Sequence, residues 1–270
     1  MLFNSIDGFL KYSILTSNLL SKNSYKTFKN YYSKYCNNFD DYDSRHYKEQ
    51  SSEITELIKK LEKPKILEVG SGCGTESLWF ALLGGEVTGI DLNDNRLRVA
   101  EERKKILEKK FNKFLKVNFQ NINFFEFCDN HQENKFDIIW MEQAYHHIEP
   151  RELLLFKVKK LLKKDGYLII SESNAYNPFL QFKLFLKRGF QTIIYTKNGR
   201  SQMYGNERIT TKSSLVNALK KNGFEIKLSK LFRIFPNNFL KRLCILEKII
   251  SKRIFFFLFL HFNIVAKLKN

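Results

Sequence analysis

Ile66-Leu67-Glu68-Val69-Gly70-Ser71-Gly72-Cys73-Gly74 runs from a short apolar segment into a glycine-spaced loop, and Thr75 to Leu83 then recur at helical spacing. Such a passage from strand to helix uses glycine where the backbone must take positive φ, or where a ligand must come closer than a side chain allows. A dinucleotide fingerprint would place its third glycine where Thr75 stands. The Lys and Ser/Thr of a triphosphate cradle are missing as well. Glu86 to Ile90 reads as a second buried strand, and Asp91 at its end can accept hydrogen bonds from both hydroxyls of a ribose through its two carboxylate oxygens. The stretch from Ile66 to Asp91 therefore builds a nucleoside-cofactor site at the edge of a parallel sheet. A purely structural turn would leave Asp91 unexplained.

Working outward, Lys65 to Val69 is a strand, Asn93 or Asp94 caps a helix to about Lys110, and strands follow near Val117 to Ile122 and Phe136 to Met141. Leu153 to Leu162 supply a helix face behind Pro150, a turn falls at Asp165-Gly166, and Tyr167 to Ser171 is a fifth strand. Strands alternating with helices of this length predict an α/β fold, doubly wound around a mostly parallel sheet. Residues 1–50 read as an N-terminal segment of irregular helices and loops, and Ser51 and Ser52 as caps of a helix carrying Ile54, Leu57, Ile58 and Leu61. The main domain spans 51–270. It includes a basic, aromatic insertion on the substrate side at 174–210, a helix from Lys212 to Lys221, a strand from Phe224, and a tail at 236–270 with an amphipathic helix and a last apolar strand.

With 270 residues and 43% apolar content the chain can bury a full core. Its net charge of +18 is unevenly spread: residues 1–63 carry +2, residues 64–173 carry 0, and residues 174–270 carry +16. The four cysteines show no CxxC pair and the histidines no ligand spacing, so neither a disulfide framework nor a metal is expected. Asp7 and Lys11 interrupt any signal-like apolar core, and Ile254 to Leu260 is too short to span a bilayer. A cytoplasmic protein is expected, with peripheral contact at the inner membrane surface through its basic third.

The segment Glu68 to Gly74 resembles the acidic-x-Gly-x-Gly-x-Gly motif of the class I, Rossmann-like S-adenosylmethionine-dependent methyltransferases. The resemblance implies a seven-stranded sheet with S-adenosylmethionine as cofactor. It places Glu68, Gly70, Ser71, Gly72 and Gly74 at the aminocarboxypropyl end, Asp91 on the ribose and Leu92 on the adenine. Where the family usually offers an Asp to the adenine amino group, this chain offers Asn121 or Asn123. Phe136 to Ile148 is similar to the family's fourth-strand motif, which implies that Met141 and Glu142 line the methionine end and that His147 is a candidate base. The bland role for His147 is a helix-start residue bonded to backbone. Leu168 to Pro178 is similar to the post-fifth-strand segment of a small-molecule and glycan-linked branch, with Ser173 in place of a proline. The family often lays a lid over the cofactor, for which Tyr31, Tyr32, Tyr42 and Tyr47 are available.

Three functions compete. The first is O-methylation of a small molecule, sugar or lipid-linked glycan, with the basic third meeting phosphate or an anionic membrane. The second is RNA methylation through the same charge, against which stands the missing Asn/Asp-Pro-Pro-aromatic motif. The third, a non-catalytic cofactor-binding scaffold, is the weakest beside a complete glycine loop and Asp91.

Overall fold

The computed structural model describes residues 3–130, 135–188, 192–195, 201–204, 209–235, 243, 245–247, 249–250 and 254–269. Four helices come first, α1 (Ile6–Leu15), α2 (Lys22–Tyr31), α3 (Ser33–Asn37) and α4 (Asp41–Lys60). Then β1 (Lys65–Val69), α5 (Thr75–Leu82), β2 (Glu86–Asp91), α6 (Asp94–Phe111), β3 (Val117–Asn121), α7 (Phe124–Asp129) and β4 (Phe136–Glu142) alternate. They are followed by α8 (Arg151–Leu161), β5 (Leu162–Ser173), α9 (Pro178–Arg188), the hairpin strands β6 (Thr192–Tyr195) and β7 (Ser201–Tyr204), α10 (Lys212–Lys221), β8 (Phe224–Phe232) and β9 (His261–Leu268).

Seven strands form one sheet in the order β3-β2-β1-β4-β5-β9-β8. The first five are parallel, while β9 runs antiparallel between β5 and β8. This is the doubly wound, seven-stranded arrangement expected. Alternation along the strands divides the interior in two. Leu67, Val69, Ile139 and Met141 join the core under α7, α8 and α10, whereas Ile66, Ile138 and Trp140 join the opposite core with Trp79 and Val99.

The N-terminal helices belong to that second core. Phe9, Leu10, Phe28 and Ile54 are fully buried, and Phe9 stacks on Trp79 at 6.2 Å. Each such side chain stabilises the docked state by about 2 kcal/mol, enough in sum to fix a segment that reads as irregular in sequence. The helix expected to begin behind Ser51 and Ser52 begins ten residues earlier, at Asp41, because the Asp40 carboxylate caps it by accepting from the Asp43 N–H at 3.1 Å. Ser51 and Ser52 instead bond back to the carbonyls of Tyr47 and Glu49 inside α4. Their hydroxyls satisfy the helix rather than start it.

Two further differences are local. The Asp165-Gly166 turn is absorbed into β5: Asp165 takes φ 63° and the pairing jumps from Phe136 opposite Leu162 to Ile138 opposite Tyr167. The helix α7 was hidden in sequence behind Asn123, whose side chain caps it by accepting from the Glu126 N–H. Of the tail, His261 to Leu268 form the expected last strand. The expected amphipathic helix falls largely on residues 236–253, most of which lie outside the described residues, as do 189–191, 196–200 and 205–208 of the 174–210 insertion.

Candidate functional site

The glycine loop leaves the C-terminal end of β1 and is pinned to β2 by its backbone. The Gly70 and Ser71 N–H groups both donate to the Ile90 carbonyl, at 2.8 and 2.9 Å. The Gly72 N–H donates to one Asp91 carboxylate oxygen at 2.9 Å, and the Asn93 N–H to the other at 2.8 Å. Asp91 is thus held rigid at the loop by one bond on each oxygen. Each oxygen keeps a further lone pair. Gly72 and Gly74 take φ of 51° and 75°, and a Cβ on Gly74 would come within 2.7 Å of the Ala100 Cβ. A Cβ on Gly70 would stand 3.0 Å from the Ala144 Cβ, so the loop also touches the end of β4.

Three carboxylates gather behind it. Glu68 at the end of β1 is buried and takes a short hydrogen bond from Ser77; Glu76 in the first turn of α5 accepts from the Tyr47 hydroxyl at 2.5 Å; Glu142 ends β4. Burial and mutual repulsion push the Glu68 carboxyl well above its ordinary range and the Glu142 carboxyl up to about 8, and burial raises that of Glu76. Among the described residues no base lowers the Glu142 or Glu68 carboxyl. The buried Ser71 hydroxyl also lacks a partner.

The helices α1 and α2 are fastened to this loop. Arg103 of α6, almost fully buried, donates to the Cys73 carbonyl at 2.5 Å, to the Thr75 hydroxyl at 2.8 Å and to the Ser13 hydroxyl at 2.9 Å, with its guanidinium over the rings of Phe9 and Phe28. The Tyr32 and Thr75 hydroxyls are 2.6 Å apart. The Tyr31 hydroxyl lies where a Gly72 side chain would begin, and Arg96 lies 5.0 Å from the Tyr31 ring. Sequence reading missed Arg103, although its place four residues after Val99 and four before Leu107 puts it on the buried stripe of α6. Glu76 gave no such signal, since an acid in a first helical turn is ordinary.

The other expected residues divide. Leu92 is exposed beside Asp91. Asn121 donates from its amide to the Asp91 carbonyl at 3.3 Å, whereas the side chain of Asn123 is spent on capping α7 and on Glu126. The Met141 side chain is sealed in the core, so only its backbone reaches the loop side. His147 is exposed, its N–H donates to the Ala144 carbonyl at 3.0 Å, and its ring lies 4.0 Å from that of His146. Its neighbour forms the stronger contact: His146 is buried and its Nδ1 lies 2.7 Å from a Glu172 oxygen at the end of β5.

A polar relay unread in the sequence completes this edge. The Ser173 hydroxyl donates to the Gln143 side-chain Oε1 at 2.7 Å, and the Gln143 Nε2 faces His261 Nδ1 at 3.4 Å. Burial and the nearby Arg233, His46 and Lys34 depress the His261 imidazole to about 3, so it is neutral at physiological pH. These residues meet because antiparallel β9 sets His261 opposite Ser173. Only the sheet brings them together.

Comparison with known proteins agrees with this geometry. A family model described as a methyltransferase domain matches residues 60–223. A ubiquinone biosynthesis O-methyltransferase from Glaesserella parasuis is 34% identical over 124 residues, covering 45% of this chain and 50% of the relative. A release factor glutamine methyltransferase from Fusobacterium nucleatum is 35% identical over 106 residues, covering 38% and 28%. The chain thus spans half or less of the length of these relatives. Among solved structures, a SAM-dependent methyltransferase from Methanosarcina mazei overlays with a TM-score of 0.55 at 21% identity, covering 77% of this chain and 94% of the other. A putative S-adenosylmethionine-dependent methyltransferase from Listeria monocytogenes gives 0.56 at 15% identity, covering 82% and 98%. At these identities the likeness is one of fold.

Proposed function

The chain belongs to the methyltransferase-domain family, the class I S-adenosylmethionine-dependent methyltransferases, and from that premise we propose that it methylates a hydroxyl oxygen of a small molecule. The observation that supports the donor half is the clamp of Gly72 and Asp91 beside three buried carboxylates, of which only Glu76 feels a nearby base, Arg103. S-adenosylmethionine fits it: two ribose hydroxyls could use the remaining Asp91 lone pairs, and the sulfonium and ammonium would supply positive charge to Glu68 and Glu142, which no neighbouring base stabilises. Leu92 covers the adenine, and Asn121 rather than Asn123 serves it, because the Asn123 side chain is engaged in the α7 cap.

When bound, that cofactor supplies a methyl group on an already activated leaving group. What remains for the protein is to align the incoming oxygen, exclude water and receive a proton. The Tyr31 and Tyr32 side chains over the glycine loop serve as the lid. His147, the exposed imidazole of the tilted pair, takes the proton, while His146 is held by Glu172. The names of the ubiquinone-related relatives support an O-acceptor. The +16 charge of residues 174–270 supports a sugar or lipid-linked glycan presented at an anionic membrane surface.

Calorimetry with S-adenosylmethionine and NAD, then labelled-methyl transfer into fractionated lysate, tests this. Binding of the first ligand alone, and label entering the small-molecule or lipid fraction as an alkali-stable ether, is the expected result. NAD binding without S-adenosylmethionine binding, or label confined to protein or RNA, would sink it.

A further inference from the structure

Helix α9 carries its large apolar side chains outward. Phe179, Phe182 and Leu186 are 73%, 63% and 68% exposed. At the helical turn they fall within about 60° of one another, a single stripe. Phe185 widens it, the exposed Lys183 borders it, and Leu184 is buried on the other side. An ordinary surface helix has the opposite polarity.

The stripe has a neighbour. Asn177 caps α9 by accepting from the Leu180 N–H at 2.8 Å, and its amide donates to the Leu258 carbonyl at 2.8 Å. The Asn174 amide donates to the carbonyls of Phe256 and Phe259 at 3.0 Å each, and the rings of Tyr176 and Phe256 lie 5.0 Å apart. These bonds fix Ile254, Phe255, Phe256 and Phe257, all more than a third exposed, beside the start of α9. Single exposed apolar residues are commonplace, but eight on two stapled segments form a patch that requires an occupant.

Charge chooses the occupant. Residues 174–270 hold 19 Lys and Arg against 3 Asp and Glu. A second copy would bring like charge to like charge. RNA would satisfy the charge and stack on aromatic rings, yet it offers nothing to Leu186 and Ile254. A bilayer with anionic headgroups satisfies both the charge and the apolar side chains. No helix among the described residues is long and apolar enough to cross a membrane, so the contact is one of a helix lying in the interface.

We propose that α9 and the Ile254–Phe257 segment form a docking face that inserts into anionic membrane surfaces and takes the acceptor from the lipid phase. The last clause rests on the methyltransferase reading; the docking does not. Both segments hang from the C-terminal end of β5, where the Asn174 N–H donates to the Leu260 carbonyl at 2.8 Å. That is the edge at which Gln143, Ser173, His146 and Glu172 gather, so docking brings the acceptor end of the site to the lipid boundary.

Flotation of the full chain with phosphatidylcholine vesicles, with and without phosphatidylglycerol, reads the face directly. The wild type is expected to float with the anionic vesicles, and Phe179→Ser/Phe182→Ser/Leu186→Ser to lose at least about tenfold in partitioning while binding S-adenosylmethionine unchanged. A second readout does not depend on that triple variant folding: Phe179→Trp is expected to be quenched by brominated lipid, and Phe114→Trp, exposed beside β3 at the other edge of the sheet, is not. The native Trp79 and Trp140 are buried and stay silent. Equal flotation of triple variant and wild type, or a wild type that binds S-adenosylmethionine but no vesicle, overturns the proposal. So does a dimer abolished by the triple variant, or binding to bulk RNA, without flotation. A chain that floats as expected yet binds no S-adenosylmethionine supports the docking face and defeats the methyltransferase reading alone.

Discussion

Residues 64–173 carry as many acids as bases and enclose most of their aromatic side chains, Phe114 and Phe156 excepted, whereas residues 174–270 carry nineteen bases against three acids and turn many of theirs outward. The first region holds Asp91 with backbone N–H groups of a glycine loop beside buried acids, the arrangement proposed to take the donor. The second, in its described residues, offers an apolar face within a basic stretch of chain. On the proposed reading the difference teaches that donor recognition is local and stereochemical, while acceptor recognition is spread over residues that only the sheet assembles. Each prediction below breaks or sharpens that contrast.

The largest effect is expected from Gly74→Val, which combines a left-handed φ with overpacking against Ala100 and Phe119. Denaturant unfolding should show a loss of about 3 kcal/mol. A value near zero would mean that the loop is loose, and the donor region would lose its claim to rigidity. Next comes His147→Gln, expected to lower kcat by about 100-fold on the true acceptor while leaving S-adenosylmethionine affinity alone. An unchanged kcat would move proton removal away from this edge, with the His261 relay as the next place to look.

The smallest effect is one of pH. Glu142 has a carboxyl raised to about 8, so its proton is retained in the free protein at pH 7 and must leave for a cationic cofactor to gain a carboxylate. Affinity should therefore rise with pH up to about 8 and level off above it, by at most about tenfold per unit. By the same sign, the raised carboxyl costs the free fold stability as pH climbs from its unfolded value, about 4.3, towards 8. Titration calorimetry in buffers of different ionisation enthalpy would show proton release, and Glu142→Gln should flatten the profile. A profile that stays steep in that variant would assign the proton to Glu68 or Glu76.

Legibility in the sequence follows the same divide. The strand at Lys65–Val69 and the helix at Lys212–Lys221 have the boundaries that periodicity and flanking residues predict, because hydrophobic alternation and turn chemistry act over a few residues. That the N-terminal segment is helical was legible, but the bounds of its helices were not, since Tyr and Asn carry little periodicity and their order comes from docking onto Trp79 and around Arg103. The caps at Asp40 and Asn123 were overlooked because many Asn and Asp in this chain could serve equally.

On the proposed reading the sequence by itself determined the donor end: the glycine loop and Asp91 lie within one strand-helix-strand unit, so their chemistry is encoded close to where it is used. Tertiary structure alone decided which carboxylates repel one another, that Arg103 ties α1 and α2 to the loop, and that His261 meets Ser173 and Gln143. Contacts between residues far apart in the chain depend on strand order and register, which no local pattern specifies.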